Sequence, residues 1–236
     1  PLPETGPVEV SAAARAINTL SARLKAAMDS RMRVVAAAGH DLRTPITRMR
    51  LRTEFIEDEE DRDNWLRDID ELSHIADSAI ALVRASTSAA PQEALRLDEL
   101  LGSIVADLRA QGHAIALRDT VAAEVRADRL ALSRALRNLL INGATHGLAV
   151  EVRMQAGADG KARIVMTDRG PGIPPDRIGQ AFEPFFRVDP ARRQAIPGAG
   201  LGLTIARDIV QLSGGGITLR NGDGGGLIQT VELPLA

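Results

Sequence analysis

The chain of 236 residues has no cysteine and no tyrosine, and only one tryptophan and four phenylalanines. Without cysteine there are no disulfides, no thiolate catalysis and no cysteine-ligated zinc or iron–sulfur cluster. With so few aromatic rings, Leu, Ile, Val and Ala must fill the core. No apolar run approaches the roughly 20 residues of a membrane helix, and the opening PLPETGPVEV lacks the basic and apolar regions of a signal peptide. A chain that opens on proline reads as a processed or partial piece. The expectation is a soluble, cytoplasmic stretch whose parent reaches a membrane only through an upstream segment. No excess of one charge exists either: 29 basic against 31 acidic residues give −2. That removes the positive field of a nucleic-acid coat, and no nucleic-acid partner is expected.

What is present falls into two parts. From Ser11 to Phe55, Ile17, Leu20, Leu24, Met28 and Val35 recur at helical spacing, with Pro45 the only proline. The acidic run Glu57 to Asp61 reads as a polar turn. A second helix then carries Trp65, Ile69, Leu72, Ile75, Ile80 and Val83 before an Ala/Ser/Thr/Pro stretch, Ala85 to Pro91, that reads as linker and hinge. Two long helices have too little interior alone, so a homodimeric four-helix bundle is expected. After Pro91 the pattern predicts helices at Asp98–Leu108, from Asp128 to about Asn142, and at Leu201–Leu212. Strands are predicted at His113–Leu117, Ala123–Arg126, Ala149–Met154, Ala162–Met166, Gly216–Leu219 and Leu227–Leu233. The fold class expected is α+β: a helical hairpin followed by a two-layer α/β sandwich.

Four constellations carry chemistry. His40, in Gly39-His40-Asp41-Leu42-Arg43-Thr44-Pro45, lies one helical turn from Thr44. It reads either as a helical surface histidine before a proline bend or as a nucleophile. In the second reading a neutral imidazole attacks phosphorus, Asp41 takes up proton density, and Thr44 orients a water for the reverse hydrolysis. Asn138 and Asn142 lie four residues apart on one helical face, as polar surface or as oxygen ligands for magnesium. Asp168-Arg169-Gly170-Pro171-Gly172 follows a strand, as a plain turn or as a carboxylate able to accept an exocyclic amino group. Gly198, Gly200, Leu201 and Gly202 open a late helix whose free N–H groups suit anions, and the spacing fits neither a Rossmann nor a Walker A loop. Between the last two lie Phe182, Phe185 and Phe186, read as an apolar plug anchoring a mobile cover, with Arg187, Arg192 and Arg193 able to reach phosphates.

Taken in order, these segments resemble the H, N, G1, F and G2 boxes of the sensor histidine kinases of two-component systems. The wording around His40, with Arg43, Thr44, Ile46-Thr47-Arg48 and Arg50, is most similar to the osmosensor EnvZ subgroup. Residues 8 to 30 resemble the second helix of a HAMP linker, Glu9 and Asn18 included. The resemblance implies residues 1–30 as the end of a HAMP linker and entry helix, 31–90 as a dimerisation and histidine-phosphotransfer hairpin, and 91–236 as an ATP-binding domain of the gyrase, Hsp90 and MutL kind. It implies autophosphorylation of His40 from Mg²⁺-bound ATP, with Asp41 as acid or base. Phosphotransfer to a cognate response regulator would follow, Thr44 supporting regulator dephosphorylation, in a parent protein of the bacterial inner membrane. Asn142 would ligate magnesium beside Asn138. Asp168, Gly170 and Gly172 would form the adenine pocket, and Phe185, Arg187, Arg192, Arg193, Gly198, Gly200, Leu201 and Gly202 the lid and phosphate side. Two positions depart from the pattern. Gly143 stands where alanine is usual, and Thr145-His146 where a basic residue and a tyrosine are, which leaves the arginines to reach phosphate and His146 to cover the ring. The competing readings are a nonenzymatic ATP-binding signalling scaffold and a gyrase-like or Hsp90-like ATPase.

Overall fold

The structure, a computed structural model, describes residues 2–5, 7–85, 92–188 and 200–236. The chain divides into two compact units, residues 1–69 and 70–236, with the division inside the second helix.

The first unit is dominated by α1, Val8–Thr53, whose alanine- and arginine-rich sequence favours helix throughout. The helix continues through Pro45. Residues 2–5 lie back along its start, held by Asn18. Its Nδ2 donates to the Leu2 carbonyl (3.0 Å) and to Glu4 Oε1 (3.1 Å), and its Oδ1 accepts from the Leu2 N–H (2.7 Å). The second helix, α2, spans Glu59–Ala85. It begins inside the acidic run Glu57 to Asp61 that reads from the sequence as a turn. Asp58 Oδ1 accepts from the Asp61 N–H at 2.9 Å, and Glu59, Glu60 and Asp61 occupy the first turn, where negative charge meets the positive end of the helix dipole. Ile69 and Thr53 are buried. Leu42, Met49, Leu51, Phe55 and Trp65 remain substantially exposed. Of the expected linker, Ala85 to Pro91, Ala85 ends α2 and residues 86–91 lie outside the described residues.

Beyond α2, the second unit runs β1 (Glu93–Arg96), α3 (Leu97–Ala110), β2 (Ile115–Leu117), β3 (Glu124–Ala127), α4 (Arg129–His146), β4 (Val150–Ala156), β5 (Lys161–Asp168), a 3₁₀ turn (Ile178–Phe182), α5 (Gly202–Leu212), β6 (Gly216–Asn221) and β7 (Leu227–Pro234). A five-stranded sheet has the order β2-β4-β5-β7-β6; β2 pairs parallel with β4 and the other neighbours are antiparallel. β1 and β3 form a small separate ribbon. Helices α3, α4 and α5 cover one face of the large sheet. The α+β, two-layer architecture expected from the sequence is what the chain adopts.

The sandwich follows from the pattern. On α4, Leu132, Ala135, Leu136, Leu139, Leu140 and Gly143 are buried, the spacing of one helical face. On β5, Ala162, Ile164 and Met166 point inward, and on β7 Leu227, Val231 and Leu233 do the same. Each fully buried leucine contributes about 1.5–3 kcal/mol of transfer free energy. Asp128 caps α4, its Oδ1 accepting from the N–H groups of Leu130 (2.9 Å) and Ala131 (3.1 Å). This helix runs four residues past the predicted end because Gly143 packs against the sheet, and Gly147 closes it.

Candidate functional site

The inward register of β5 decides where Asp168 goes. Counting by two from Ala162 through Ile164 and Met166 brings the next side chain, a carboxylate, onto the helix-covered face at the strand end. It is 5% exposed. Its Oδ1 accepts from the N–H groups of Gly170 (2.9 Å) and Leu227 (3.0 Å), and among the described residues no donor is paired with Oδ2. Such a carboxylate is rigid and keeps one oxygen for an incoming donor. The end of α4 comes very close: a Cβ on Gly147 would lie 2.2 Å from Asp168 Cβ, so only glycine permits the approach.

Gly172, at φ +72°, turns the chain after Gly170. Asn221, at the end of β6, then brackets Ile173, accepting from its N–H at 3.0 Å and donating to its carbonyl at 2.7 Å. Asn221 was not singled out from the sequence. Its partner 48 positions away is set by the sheet, which local pattern does not reveal.

One turn before the end of α4, Asn142 is half-buried and its amide bonds to no other described residue. Asn138 Nδ2 donates to the Gly202 carbonyl at 3.3 Å. Helix α4 therefore bridges the end of β5, which bears Asp168, and the start of α5. No side chain caps α5, so its first N–H groups have no such partner. Gly200, Leu201 and Gly202 lead into it; Gly200 has φ +69° and accepts from the Phe185 N–H at 3.1 Å. Thr204, buried, donates to the Phe182 carbonyl at 2.9 Å, a tie that the sequence did not announce.

The phenylalanine plug is built differently from the expectation. A second small cluster forms from Ile173, Ala181 and Leu227, with Ile178, Val188, Leu203 and Leu219 against it. Phe182 lies under the Arg207 guanidinium, 5.2 Å from the ring centre, and Phe185 is 64% exposed at φ +64°. Arg187 is half-buried. Arg192, Arg193 and Gly198 lie outside the described residues. His146 is exposed, with its backbone carbonyl beneath Gly170.

The structure thus brings Asn138, Asn142, Asp168, Gly170, Gly172, Gly200, Leu201 and Gly202 together in the second unit. His40, Asp41 and Thr44 belong to α1 in the first. Asp41 and Thr44 are exposed; for His40 the backbone alone is described. Among the described residues no group of three or more His, Cys, Asp or Glu side chains could hold a metal. An ion here would be held by a neutral oxygen such as that of Asn142 together with nucleotide and water oxygens, which suits magnesium.

One further residue lies in this neighbourhood. Gln229, fully buried on β7, donates from Nε2 to the Leu139 carbonyl of α4 at 3.2 Å, while its Oε1 is buried without a partner. An unmatched buried carbonyl of this kind costs about 1–3 kcal/mol.

Comparison with known proteins places this geometry. Residues 127–236 match the family described as histidine kinase-, DNA gyrase B-, and HSP90-like ATPase. Over 99% of its length the chain is 37% identical to sensor histidine kinase GtrS of Pseudomonas aeruginosa, covering 48% of that protein. It is 32% identical, over 93% of its length and 48% of the relative's, to the signal transduction histidine-protein kinase/phosphatase MprB of Mycolicibacterium smegmatis. The solved structure of a mycobacterial sensor histidine kinase MprB superimposes with a TM-score of 0.54 at 29% identity, covering 61% of this chain and 97% of that one. The chain spans about half the length of the curated relatives it matches.

Proposed function

The chain belongs to the sensor histidine kinases, and from that premise we propose that it phosphorylates its own His40 from magnesium-bound ATP and passes the phosphoryl group to an aspartate of a response regulator. The observation that carries this reading is the cluster around Asp168, with its open Oδ2, Asn138 and Asn142 on α4 and the uncapped start of α5, in a chain that also bears His40 in its motif. The GtrS match covers both the helices and the sandwich, which supports a kinase over an ATPase of the sandwich type alone.

Asp168 Oδ2 accepts the adenine amino group, and the fixed Oδ1 holds the carboxylate in place. Gly170 and Gly172 shape the wall beside it. The N–H groups at the start of α5, reached through Gly200, Leu201 and Gly202, face the phosphates. Phe185, Arg187, Arg192, Arg193 and Gly198 make up the cover on the phosphate side. Asn142 offers its amide oxygen to magnesium, and Asn138 fixes the spacing between α4 and α5. Magnesium supplies charge neutralisation at the phosphate oxygens. The neutral imidazole of His40 attacks the γ-phosphorus in line; the P–N bond forms as the bond to the β,γ-bridging oxygen breaks and ADP departs. Asp41 takes up the proton that the phosphorylated ring releases. Thr44, one turn on, orients water for hydrolysis of the phosphorylated regulator, in line with the kinase/phosphatase name of MprB. Residues 1–30 act as the end of a HAMP linker, 31–90 as the dimerising phosphotransfer hairpin of a homodimer, and 91–236 as the ATP-binding domain. The parent is a membrane sensor whose cytoplasmic part this is. Among the described residues no helix is long and apolar enough to cross a membrane.

The test is incubation with γ-labelled ATP and Mg²⁺. The intact chain takes up an acid-labile, alkali-stable label, and His40→Gln and Asn142→Ala do not. Nucleotide binding without label on the intact chain overturns the reading.

A further inference from the structure

We propose that Gln229 is a positioning residue that sets the spacing between the adenine end and the phosphate end of the nucleotide site, an inference that rests on the ATP reading above. The inward face of β7 carries Leu227, Gln229, Val231 and Leu233, and Gln229 is the one polar side chain among them. It is 0% exposed. An acceptor determines its orientation: the NH₂ group must face the Leu139 carbonyl, 3.2 Å away. Leu139 lies between Asn138 and Asn142, so the bond fastens to the strand the one turn of α4 that carries both asparagines.

Gly143 lets that turn lie flush. A Cβ there would stand 2.7 Å from Val150 Cγ2, 3.3 Å from Gln229 Nε2 and 3.8 Å from Asp168 Cβ. Two residues back along β7, the Leu227 N–H donates to Asp168 Oδ1 at 3.0 Å. One strand therefore holds both ends of the site, the adenine carboxylate through a backbone N–H and the asparagine turn through a side-chain amide. The unpartnered Oε1 points the same way. Were packing the only need, an apolar side chain of the same shape would serve without that buried carbonyl. The amide is kept for the bond it makes.

The experiment titrates the full chain with two probes, magnesium-bound ATP, which engages both ends of the site, and adenosine, which engages the adenine end alone. Gln229→Met keeps the length and removes the donor. It should bind magnesium-bound ATP about tenfold more weakly, as expected for a lost positioning bond, while adenosine binding changes by less than about twofold and the thermal midpoint does not fall. Gln229→Leu removes the same donor with a differently shaped apolar side chain and should give the same split, so the inference stays testable if Gln229→Met fails to fold. Unchanged affinity for magnesium-bound ATP in the variants, or an equal loss for both probes with a lowered midpoint, overturns it. A wild-type chain that binds neither probe overturns the ATP reading itself, and this inference with it, before any variant is made.

Discussion

Asp168 shows how much one side chain decides. Its place at the end of β5 is fixed by strand alternation, and its Oδ1 is committed to Gly170 and Leu227. Asp168→Asn keeps an oxygen for those two N–H groups but presents a donor where the adenine amino group also donates. Loss of a hydrogen bond to a charged group, about 1.5–3 kcal/mol, predicts ATP binding weaker by roughly 10- to 100-fold with the fold retained. Calorimetric titration checks this, and equal affinity contradicts the assignment. Asp168 was legible because a carboxylate with Gly-Pro-Gly two residues on, at 170–172, stands out at a strand end. Gln229 was not. In Leu227-Ile228-Gln229-Thr230-Val231 the alternation can be read with Ile228 or Gln229 inward, and only the pairing of β7 with β5, Met166 opposite Gln229, chooses.

At the scale of elements, the start of α3 carries a pH-dependent contact. Arg96 donates to both oxygens of Asp98, at 2.9 and 2.6 Å, and this hydrogen bonding holds the Asp98 carboxyl at about 2, below its ordinary 3.8, against the opposing effect of burial. A depressed carboxyl stabilises the fold above its unfolded value and loses that contribution as pH falls through the folded one. The stability difference between wild type and Asp98→Asn should be full above about pH 4 and fade toward pH 2. With Arg96 half exposed, it amounts to about 1–2 kcal/mol. Urea denaturation across that range measures it, and a difference independent of pH would contradict it. The cap of α4 gives a second case: Asp128→Ala leaves the N–H groups of Leu130 and Ala131 without their acceptor and should cost about 1 kcal/mol at neutral pH. Most elements could be read from periodicity. β1 could not, because Glu93–Arg96 buries a single side chain, Leu95, and exists by pairing with β3, about 30 residues later.

Across the whole molecule, the scarcity of aromatics and the balance of charge leave aliphatic faces as the means of association. Leu42, Met49, Leu51 and Trp65 stay exposed on α1 and α2, more apolar surface than helices in water should show without a partner. A second copy of the chain is the proposed cover. Light scattering should give twice the chain mass for wild type, and Leu51→Glu combined with Trp65→Glu should shift it toward the monomer while nucleotide titration of the sandwich is retained. The change of pattern near Pro91 announced the sandwich that follows, whereas the compact units divide between residues 69 and 70, inside α2. The pairing order of the sheet was not visible, since strand neighbours such as β5 and β7 are separated by more than 50 residues.

The central claim is that the ATP site of the second unit serves the histidine of the first. Mass spectrometric mapping at neutral to alkaline pH, after incubation with ATP and Mg²⁺, reads this directly. The account predicts a phosphoryl group on the peptide bearing His40 and on that histidine. A phosphoryl group found on another residue, or a chain that binds ATP and stays unmodified, would contradict it.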